Sequence, residues 1–429
     1  MVPSTAPADS DGSRGSASIL LDGFERLTGT RARFGLRLWD GSRAGRPDAP
    51  TALLGSPNAL RRMILRPDDL GLARAFVTGE LQVEGSVTEF LQAGALTADD
   101  ADWAQGPWRD LPARARGALS LTTWALRTGR TWRPLPHPAV ELARCRLRSR
   151  AQAVRHHYDL GDDFYRLILG PSMVYSSAYW PDPEQPKDLE AAQAAKLDQV
   201  CRKLRLGPGT TLLDIGCGWG SLLVHAAEHY GTKSVGVTLS CDEAEYTRRR
   251  VEAAGLGDRI SIRLGNAVDV TDGRFDAIAG IAVSQHLNRK EQRRYAQMLH
   301  DLLEPGGLAL SHDVCVSETG RKYRDSPFLR RYIFPELNLR SLGESVVSYE
   351  RAGLEVVEVE SLRAHYAPTY DAWLANLEAN WEAAVLTVGI EKTRAWQLFL
   401  ATGSVGCHLG WTGANHVMLA RPESAAVTR

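Results

Sequence analysis

From Gly207 onward the chain alternates short apolar segments with helix-like segments, and this alternation constrains the fold more than any other feature. The apolar segments have the length of strands, and the segments between most of them are long enough for a helix. This pattern is typical of right-handed crossovers in a parallel, doubly wound α/β sheet. The predicted strands are 210–215, 233–239, 260–264, 275–281 and 307–314.

A glycine-rich loop, LDIGCGWG at 213–220, lies directly between the first predicted strand and its helix. Glycines at a strand-to-helix turn let a ligand approach the backbone, with the helix N-terminus behind it. No Lys-Ser/Thr pair follows, which excludes a phosphate-binding P-loop. A dinucleotide fold places an acid at the end of the next strand, whereas here that strand ends in Thr238-Leu239-Ser240 and Glu243 lies inside the following helix. The loop predicts a cofactor site of another kind.

The rest of the chain divides into further segments by composition. Residues 1–18 resemble a disordered leader, because they lack an apolar core. Residues 19–112 alternate short strand and helix signals and predict a small α+β domain. A linker is expected at 113–153, before a larger domain at 154–429.

Composition excludes several classes of protein. Lys+Arg 51 and Asp+Glu 51 balance, which argues against a nucleic-acid binder that is basic throughout. No run of eighteen apolar residues is present, so no membrane-spanning helix is predicted. The six cysteines are scattered without a CxxC pair, which disfavours a disulfide framework and a zinc site. His156 and His157 are adjacent and point apart, so we expect no metal. A cytoplasmic protein is expected.

The segment between residues 113 and 155 is strongly basic. It carries ten arginines and one acid, Glu141, a net charge of +9, together with Trp124 and Trp132. One interpretation is a solvated, arginine-rich linker. The other is a surface that meets anionic lipid headgroups with tryptophan at the interface. The residues alone leave both open.

Four motifs follow one another along the chain, HHYDLGDDFY (156–165), VYSSAYW (174–180), LDIGCGWG (213–220) and GVTLS (236–240). In sequence and in order they resemble motifs of the cyclopropane-fatty-acid synthases and the related mycolic-acid and methylene-fatty-acid methyltransferases. Two later segments, RYIFP (331–335) and AHYAPTYDAW (364–373), are also similar, and GELQVEG (79–85) resembles the smaller N-terminal domain of the bacterial lipid enzymes. Because several motifs in fixed order are more specific than any one, the chain is identified as a member from about residue 154 onward.

The resemblance implies a Rossmann-like class I methyltransferase domain that methylates an alkene carbon with S-adenosylmethionine. The alkene attacks the sulfonium methyl group and leaves a carbocation. Loss of a proton from the new methyl group closes a cyclopropane, and loss of a neighbouring proton leaves a methyl or methylene branch. A dry apolar tunnel would shield the cation, while a base decides the product. In the family that base is a bicarbonate ion.

The resemblance places the bicarbonate ligands on five positions of this chain. Two match the family, His312 and Tyr366, while Ser177 stands for a Cys, Val314 for an Ile and Gln285 for a Glu. Glutamine can accept a hydrogen bond but can neither take up a proton nor supply negative charge. Either bicarbonate persists on His312 and Tyr366, or His312 or His286 removes the proton directly.

The resemblance also implies a cofactor shell. In the family the Asp anchors the loop, the glycines accommodate the amino-acid end of the cofactor, and Tyr175 and Ser176 touch its methionine end. Thr238 is expected at the ribose, where Glu243 replaces a Gln, and Asn266-Ala267 replaces an Asp-aromatic pair at the adenine. The expected cofactor residues are Tyr175, Ser176, Asp214, Gly216, Gly218, Gly220, Thr238, Leu239, Ser240, Glu243, Asn266 and Ala267.

Three functions remain open on the sequence. The first acts on an unsaturated acyl chain of a phospholipid at an anionic membrane surface, which would place the protein peripherally at the inner membrane face. The second applies the same chemistry to a soluble unsaturated natural product. The third is a cofactor-binding protein without catalysis. The N-terminal domain and the Arg/Trp segment favour the lipid substrate. The oligomeric state, monomer or homodimer, stays open.

Overall fold

The computed structural model describes residues 15–100, 135–141, 160–183, 188–266, 270, 273–317 and 326–423. The expected linker at 113–153 lies outside these residues except for 135–141, as do His156, His157 and Ala267. The chain separates into two compact units, Met1–Pro138 and Ala139–Arg429. The division therefore falls inside the segment in which a linker was expected.

The first unit is a small α+β structure. Its four-stranded sheet has the order β2-β1-β3-β4, in which β1 pairs parallel with β3 and the other pairs are antiparallel. The strands are β1 (Gly35–Leu38), β2 (Arg43–Ala44), β3 (Thr51–Leu54) and β4 (Leu81–Glu84). The helices are α1 (Ser16–Thr28), α2 (Pro57–Leu65), α3 (Asp69–Val77) and α4 (Val87–Asp100).

Helix α1 corrects the expected end of the leader at residue 18. The helix already begins at Ser16, and Ala17 is fully buried. The backbone N–H of Ala17 donates to Ser42 Oγ at 3.0 Å. These contacts with the folded unit stabilise the first turn, which the polar composition of the leader did not indicate.

The second unit contains a seven-stranded sheet of order β10-β11-β9-β8-β5-β6-β7. Strands β5 to β9 run parallel, as the alternating pattern predicts. The sheet is not parallel throughout, because β11 pairs antiparallel with both β9 and β10. The strands are β5 (Thr211–Ile215), β6 (Lys233–Thr238), β7 (Ile260–Leu264), β8 (Phe275–Ile281), β9 (Leu303–Val316), β10 (Glu355–Ser361) and β11 (Thr412–Ala420).

Helices cover both faces of this sheet and bury its two cores. On one face Tyr295, Leu299 and Tyr349 pack with Ile278 and Ala309, and on the other face a second cluster includes Leu197, Val200, Leu212 and Leu310. The helices are α5 (Asp162–Leu169), α6 (Leu189–Lys203), α7 (Ser221–Tyr230), α8 (Cys241–Ala253), α9 (Arg289–Leu302), α10 (Pro327–Tyr332), α11 (Leu342–Glu350), α12 (Arg363–Ala379), α13 (Trp381–Val388) and α14 (Ile390–His408).

The strand order changes direction between β5 and β8, and this positions the site. The chain leads from β5 to β6 and β7 on one side, and after β7 it returns to β8 on the other side of β5. A crevice forms at such a switch point outside the carboxyl ends of the strands. The glycine-rich loop follows β5 there, and a short 3₁₀ turn at Ser284–His286 follows β8.

Candidate active site

A cavity opens at the carboxyl ends of β5, β6 and β8, as the switch point requires. Eight of the twelve expected cofactor residues line it, together with His286, one of the two histidines considered as a direct base, and with Lys196 and Ile281, which the sequence did not single out. The eight are Tyr175, Ser176, Asp214, Gly216, Gly218, Thr238, Leu239 and Glu243.

Two glycines of the loop are needed for different reasons. Gly218 has a φ of +52°, and a Cβ built there would meet no described atom within 4 Å, so this position leaves open space beside the backbone. Gly220 has a φ of +77°, and a Cβ there would overlap Thr247 Cγ2 on α8. Gly220 thus allows close packing of the helix, whereas Gly218 leaves room for a ligand.

Asp214 and Lys196 place two buried, oppositely charged groups at the cavity. Asp214 is 2% exposed, and its Oδ1 has no hydrogen-bond partner among the described residues. Lys196 on α6 is 1% exposed, and its Nζ donates to Ser176 Oγ at 3.0 Å. Burial raises the pKa of Asp214 to about 7 and lowers the pKa of Lys196 to about 7, although each charge opposes the shift of the other. The site therefore holds charges that the fold itself only partly compensates.

Sequence reasoning missed Lys196, although α6 carries a signal for it. Lys196 lies four residues from Ala192 and four from Val200, and both of these are fully buried. A lysine in such an i, i+4 row faces the core, where a charge must have a functional or structural partner.

The remaining cofactor residues lie around the ends of β6 and β7. Thr238 Oγ1 donates to Glu243 Oε2, and burial raises the pKa of Glu243 to about 7. Ser240 is buried, and its Oγ accepts from the backbone N–H of Glu243 at 3.3 Å, so it caps α8. Asn266 is exposed after β7. Neither Ser240 nor Asn266 is among the described residues that line the cavity.

Gln285 lies in the 3₁₀ turn that follows β8, and its amide closes this turn. Its Nε2 donates to Ala282 O at 2.8 Å, while its Oε1 has no hydrogen-bond partner in the part of the chain that is described. Ala282 itself lines the cavity and has a φ of +57°, a strained conformation for a residue with a Cβ. Arg340 fixes the turn, because its guanidinium donates to Ser284 O and to Leu287 O.

His312 lies within β9, which begins at Leu303 and continues to Val316, beyond both ends of the strand predicted at 307–314. Its side chain is fully buried, and its Nδ1 is 3.1 Å from Nε2 of His416 on β11. Burial, assisted by the charge of Lys196, lowers the pKa of His312 to about 3. Val314, two residues further, is half-buried and lies opposite Ala414.

Ser177 and Tyr366 belong to two segments that are bonded together. Ser177 Oγ donates to Ala178 O, and the N–H of Ala178 donates to Thr369 Oγ1 on α12 at 3.1 Å. Tyr366, on the same helix, stacks on Tyr370 with ring centroids 4.5 Å apart, and burial raises its pKa.

Hydrogen bonds link the segments that carry the five expected catalytic residues in two groups. The segment of Ser177 is bonded to α12, which carries Tyr366, through Ala178 and Thr369. The N–H of Ala282 donates to His312 O at 3.0 Å and links the turn of Gln285 to β9, which carries His312 and Val314. None of the five is among the described residues that line the cavity. The first expected motif, HHYDLG, lies mostly outside the described residues.

An aromatic cluster borders the cavity and was not predicted. The ring of Tyr175 lies 5.8 Å from Tyr165, 5.4 Å from Trp373 and 6.0 Å from Trp396. Trp219 packs against Tyr165 at 4.8 Å, and its Nε1 donates to Asp162 Oδ1. Such a wall is apolar, and its ring faces are electron-rich, so it suits a cationic species that must be kept from water.

Comparisons with known proteins agree with this geometry. A family model described as mycolic acid cyclopropane synthetase matches residues 145–417. A probable fatty acid methyltransferase of Mycobacterium tuberculosis is 34% identical to this chain over 395 residues, which cover 90% of each protein. The cyclopropane-fatty-acyl-phospholipid synthase of Escherichia coli is 35% identical over 227 residues, 53% of this chain and 56% of that protein.

A solved structure shares the fold of the second unit. The mycolic acid cyclopropane synthase CmaA1, solved in complex with SAH and CTAB, superposes with a TM-score of 0.59 and 30% identity. The match covers 64% of this chain and 99% of that chain.

Proposed function

Because this chain belongs to the mycolic acid cyclopropane synthetase family of S-adenosylmethionine-dependent methyltransferases, we propose that it methylates an alkene carbon of an unsaturated acyl chain. The reaction gives a cyclopropane or a methyl or methylene branch through a carbocation. The observation that carries the proposal is the cavity at the switch point, where a glycine-rich loop and a buried Asp214 meet an aromatic wall.

The residues at the cavity fit S-adenosylmethionine. The unpartnered Oδ1 of Asp214 and the open space beside Gly218 offer a place for the ammonium group at the amino-acid end of the cofactor. Tyr175 and Ser176 border that end, while Thr238 and Glu243 offer oxygens to the ribose hydroxyls. When bound, the cofactor supplies an electrophilic methyl group on a sulfonium.

The bicarbonate that the resemblance implies fits less well. Its family site contains a carboxylate that can take up a proton, whereas the amide of Gln285 cannot, and its N–H already bonds Ala282 O. Of the two histidines that could remove the proton directly, His286 lines the cavity but its Nδ1 lies 3.1 Å from Glu336 Oε1. His312 Nε2 is buried and has no hydrogen-bond partner among the described residues, and His312 is the proposed proton acceptor. Its low pKa keeps the ring neutral, as a base requires.

The same proposal places the protein peripherally at an anionic, cytoplasmic membrane face. Ten arginines with two tryptophans between residues 113 and 155 support it, since such a segment suits lipid headgroups. Among the described helices, none is both long and apolar enough to cross a bilayer.

Labelled S-adenosylmethionine and vesicles of anionic unsaturated phospholipid test the function. We expect mass spectrometry to find the label in acyl chains as one added carbon. Vesicles of saturated phospholipid with the same headgroup should stay unlabelled, and so should an Asp214→Ala reaction. Label that appears only in soluble products of a metabolite extract would contradict the lipid substrate, and no label in any product would contradict methyl transfer.

A further inference from the structure

Three side chains form a row across neighbouring strands of the second sheet and lead from its edge strand toward the cavity. Glu360 on β10 lies opposite His416 on β11, which lies opposite His312 on β9. His312 in turn lies opposite Ile281 on β8, and Ile281 lines the cavity. Residues directly opposite on neighbouring strands have their side chains on the same face, about 5 Å apart. The row therefore connects a partly exposed carboxylate with the cavity wall.

The polar atoms of the row face one another in sequence. His416 Nδ1 lies 3.9 Å from Glu360 Oε2, and His416 Nε2 lies 3.1 Å from His312 Nδ1. Both imidazoles are fully buried, while the Glu360 side chain is 28% exposed. At the inner end, His312 Nε2 has no hydrogen-bond partner among the described residues. His416 Nδ1 also has no hydrogen-bond partner among the described residues, because 3.9 Å exceeds hydrogen-bonding distance, so Glu360 acts on this nitrogen through its charge.

The carboxylate selects one tautomer of this row. Burial lowers the pKa of both histidines, and the nearby Lys196, Lys203 and His365 act on His416 in the same direction, so both rings are neutral at pH 7. A carboxylate attracts an N–H and repels a lone pair, which favours the proton on His416 Nδ1. His416 Nε2 must then accept from His312 Nδ1, and His312 Nε2 retains its lone pair.

We propose that Glu360 and His416 are positioning residues that hold His312 in the tautomer with a bare Nε2, ready to accept a proton from the methylated substrate. This inference rests on the proposed function, in which His312 is the proton acceptor. In that step a C–H bond of the transferred methyl group breaks, and its electron pair closes the ring at the cationic carbon. The proton goes to His312 Nε2, and the negative charge of Glu360 stabilises the imidazolium across His416, before the proton passes to water.

Glu358 provides a matched control for Glu360. Both glutamates lie on β10 and both pair with Lys203 Nζ, at 2.5 Å for Glu358 and 2.8 Å for Glu360. Only Glu360 lies opposite His416. The experiment compares three variants of the full chain, Glu360→Ala, Glu360→Gln and Glu358→Ala. NMR of ¹⁵N-labelled histidine reports the tautomer without turnover, and the vesicle assay reports the activity of each variant.

In the wild type we expect the His312 proton on Nδ1. Glu360→Ala should reduce that tautomer and lower kcat on the order of tenfold with an unchanged KM for S-adenosylmethionine. Glu360→Gln, whose amide oxygen still faces His416 Nδ1 but carries no charge, should restore part of the tautomer preference and leave kcat near that of Glu360→Ala, and Glu358→Ala should match the wild type.

Two results would overturn the proposal. One is a wild-type protein in which His312 is protonated on Nε2, and the other is a Glu360→Ala variant whose tautomer and kcat equal those of Glu358→Ala. A wild type that shows the expected tautomer and its loss in Glu360→Ala, but transfers no methyl group, would support the positioning and refute the proposed function.

Discussion

The substitution Gln285→Glu tests whether the 3₁₀ turn that follows β8 tolerates the carboxylate that the family resemblance implies. The Gln285 side chain is 8% exposed, and its amide N–H donates to Ala282 O at 2.8 Å. An ionised carboxylate there would place two oxygens in contact without a proton between them. The introduced carboxyl group should therefore stay protonated to a higher pH than an ordinary glutamate and, in that form, donate to Ala282 O.

The two buried carboxyl groups of the same site indicate the magnitude. The pKa values of Asp214 and Glu243 are both raised to about 7. If the introduced group behaves alike, its pKa lies about 3 units above the ordinary value of about 4.3 for glutamate. The folded state then binds more protons than the unfolded state between pH ~4 and ~7, so stability falls as pH rises through that window. The loss relative to wild type should be about 1 kcal/mol at pH 5 and about 4 kcal/mol at pH 8.

Urea unfolding at several pH values measures this difference, and the vesicle assay with and without bicarbonate measures activity, which should fall. Gln292→Glu is the matched control, because Gln292 is also buried but its Oε1 accepts from the Arg340 guanidinium, which would stabilise a carboxylate. A Gln285→Glu variant whose stability does not change with pH, and which is faster and dependent on bicarbonate, would refute the reasoning and return bicarbonate to the site.

Four further outcomes follow from the structure. Asp214→Asn should weaken binding of S-adenosylmethionine, measured by calorimetry, by roughly tenfold to a hundredfold, since a buried charge–charge contact is lost; unchanged affinity would remove the loop from the site. Gly220→Ala should lower the free energy of unfolding, measured by thermal denaturation, by about 1–3 kcal/mol because the added Cβ overlaps Thr247. Gly257→Ala is the control and should leave that free energy unchanged, because a Cβ there meets no described atom within 4 Å. Arg340→Met should lower the free energy of unfolding by about 3 kcal/mol or more and reduce turnover, because it leaves the carbonyls of the 3₁₀ turn without their hydrogen bonds. A variant that turns over at the wild-type rate would show that this turn has no role in catalysis. Binding to anionic vesicles should weaken as salt rises, since headgroup attraction is screened within about 10 Å at 0.1 M, and salt-independent sedimentation would argue against an arginine surface.

The features predicted from the sequence are those whose physical requirements lie in consecutive residues. Asp214 and the glycines follow a strand and precede a helix, so their place at the carboxyl end of β5 follows from the local pattern. The parallel strands β5 to β9 were predicted for the same reason, since each crossover helix adjoins its strands in the chain.

The features that were missed depend on contacts between distant segments. Lys196 lies near Asp214 only because α6 packs on the sheet, and the single lysine in an otherwise apolar row gave no indication of its partner. His416 lies 104 residues after His312 in the chain and contacts it only because β11 pairs antiparallel with β9 in this register. Strand β11 is buried along nearly its whole length, so no alternation of polar residues revealed its neighbours or direction.

The position of β11 between β9 and β10 also sets the order in which the protein can be assembled on the ribosome. Strands β5 to β8 and the glycine-rich loop emerge first and can pair with one another, but one edge of β9 stays open until residues 412–420 have been translated. Until then its N–H and C=O groups are unpaired and available to other chains. A nascent chain can therefore form the donor-binding half of the cavity before His312 has met His416, and competence to finish the reaction arrives only with the last strand.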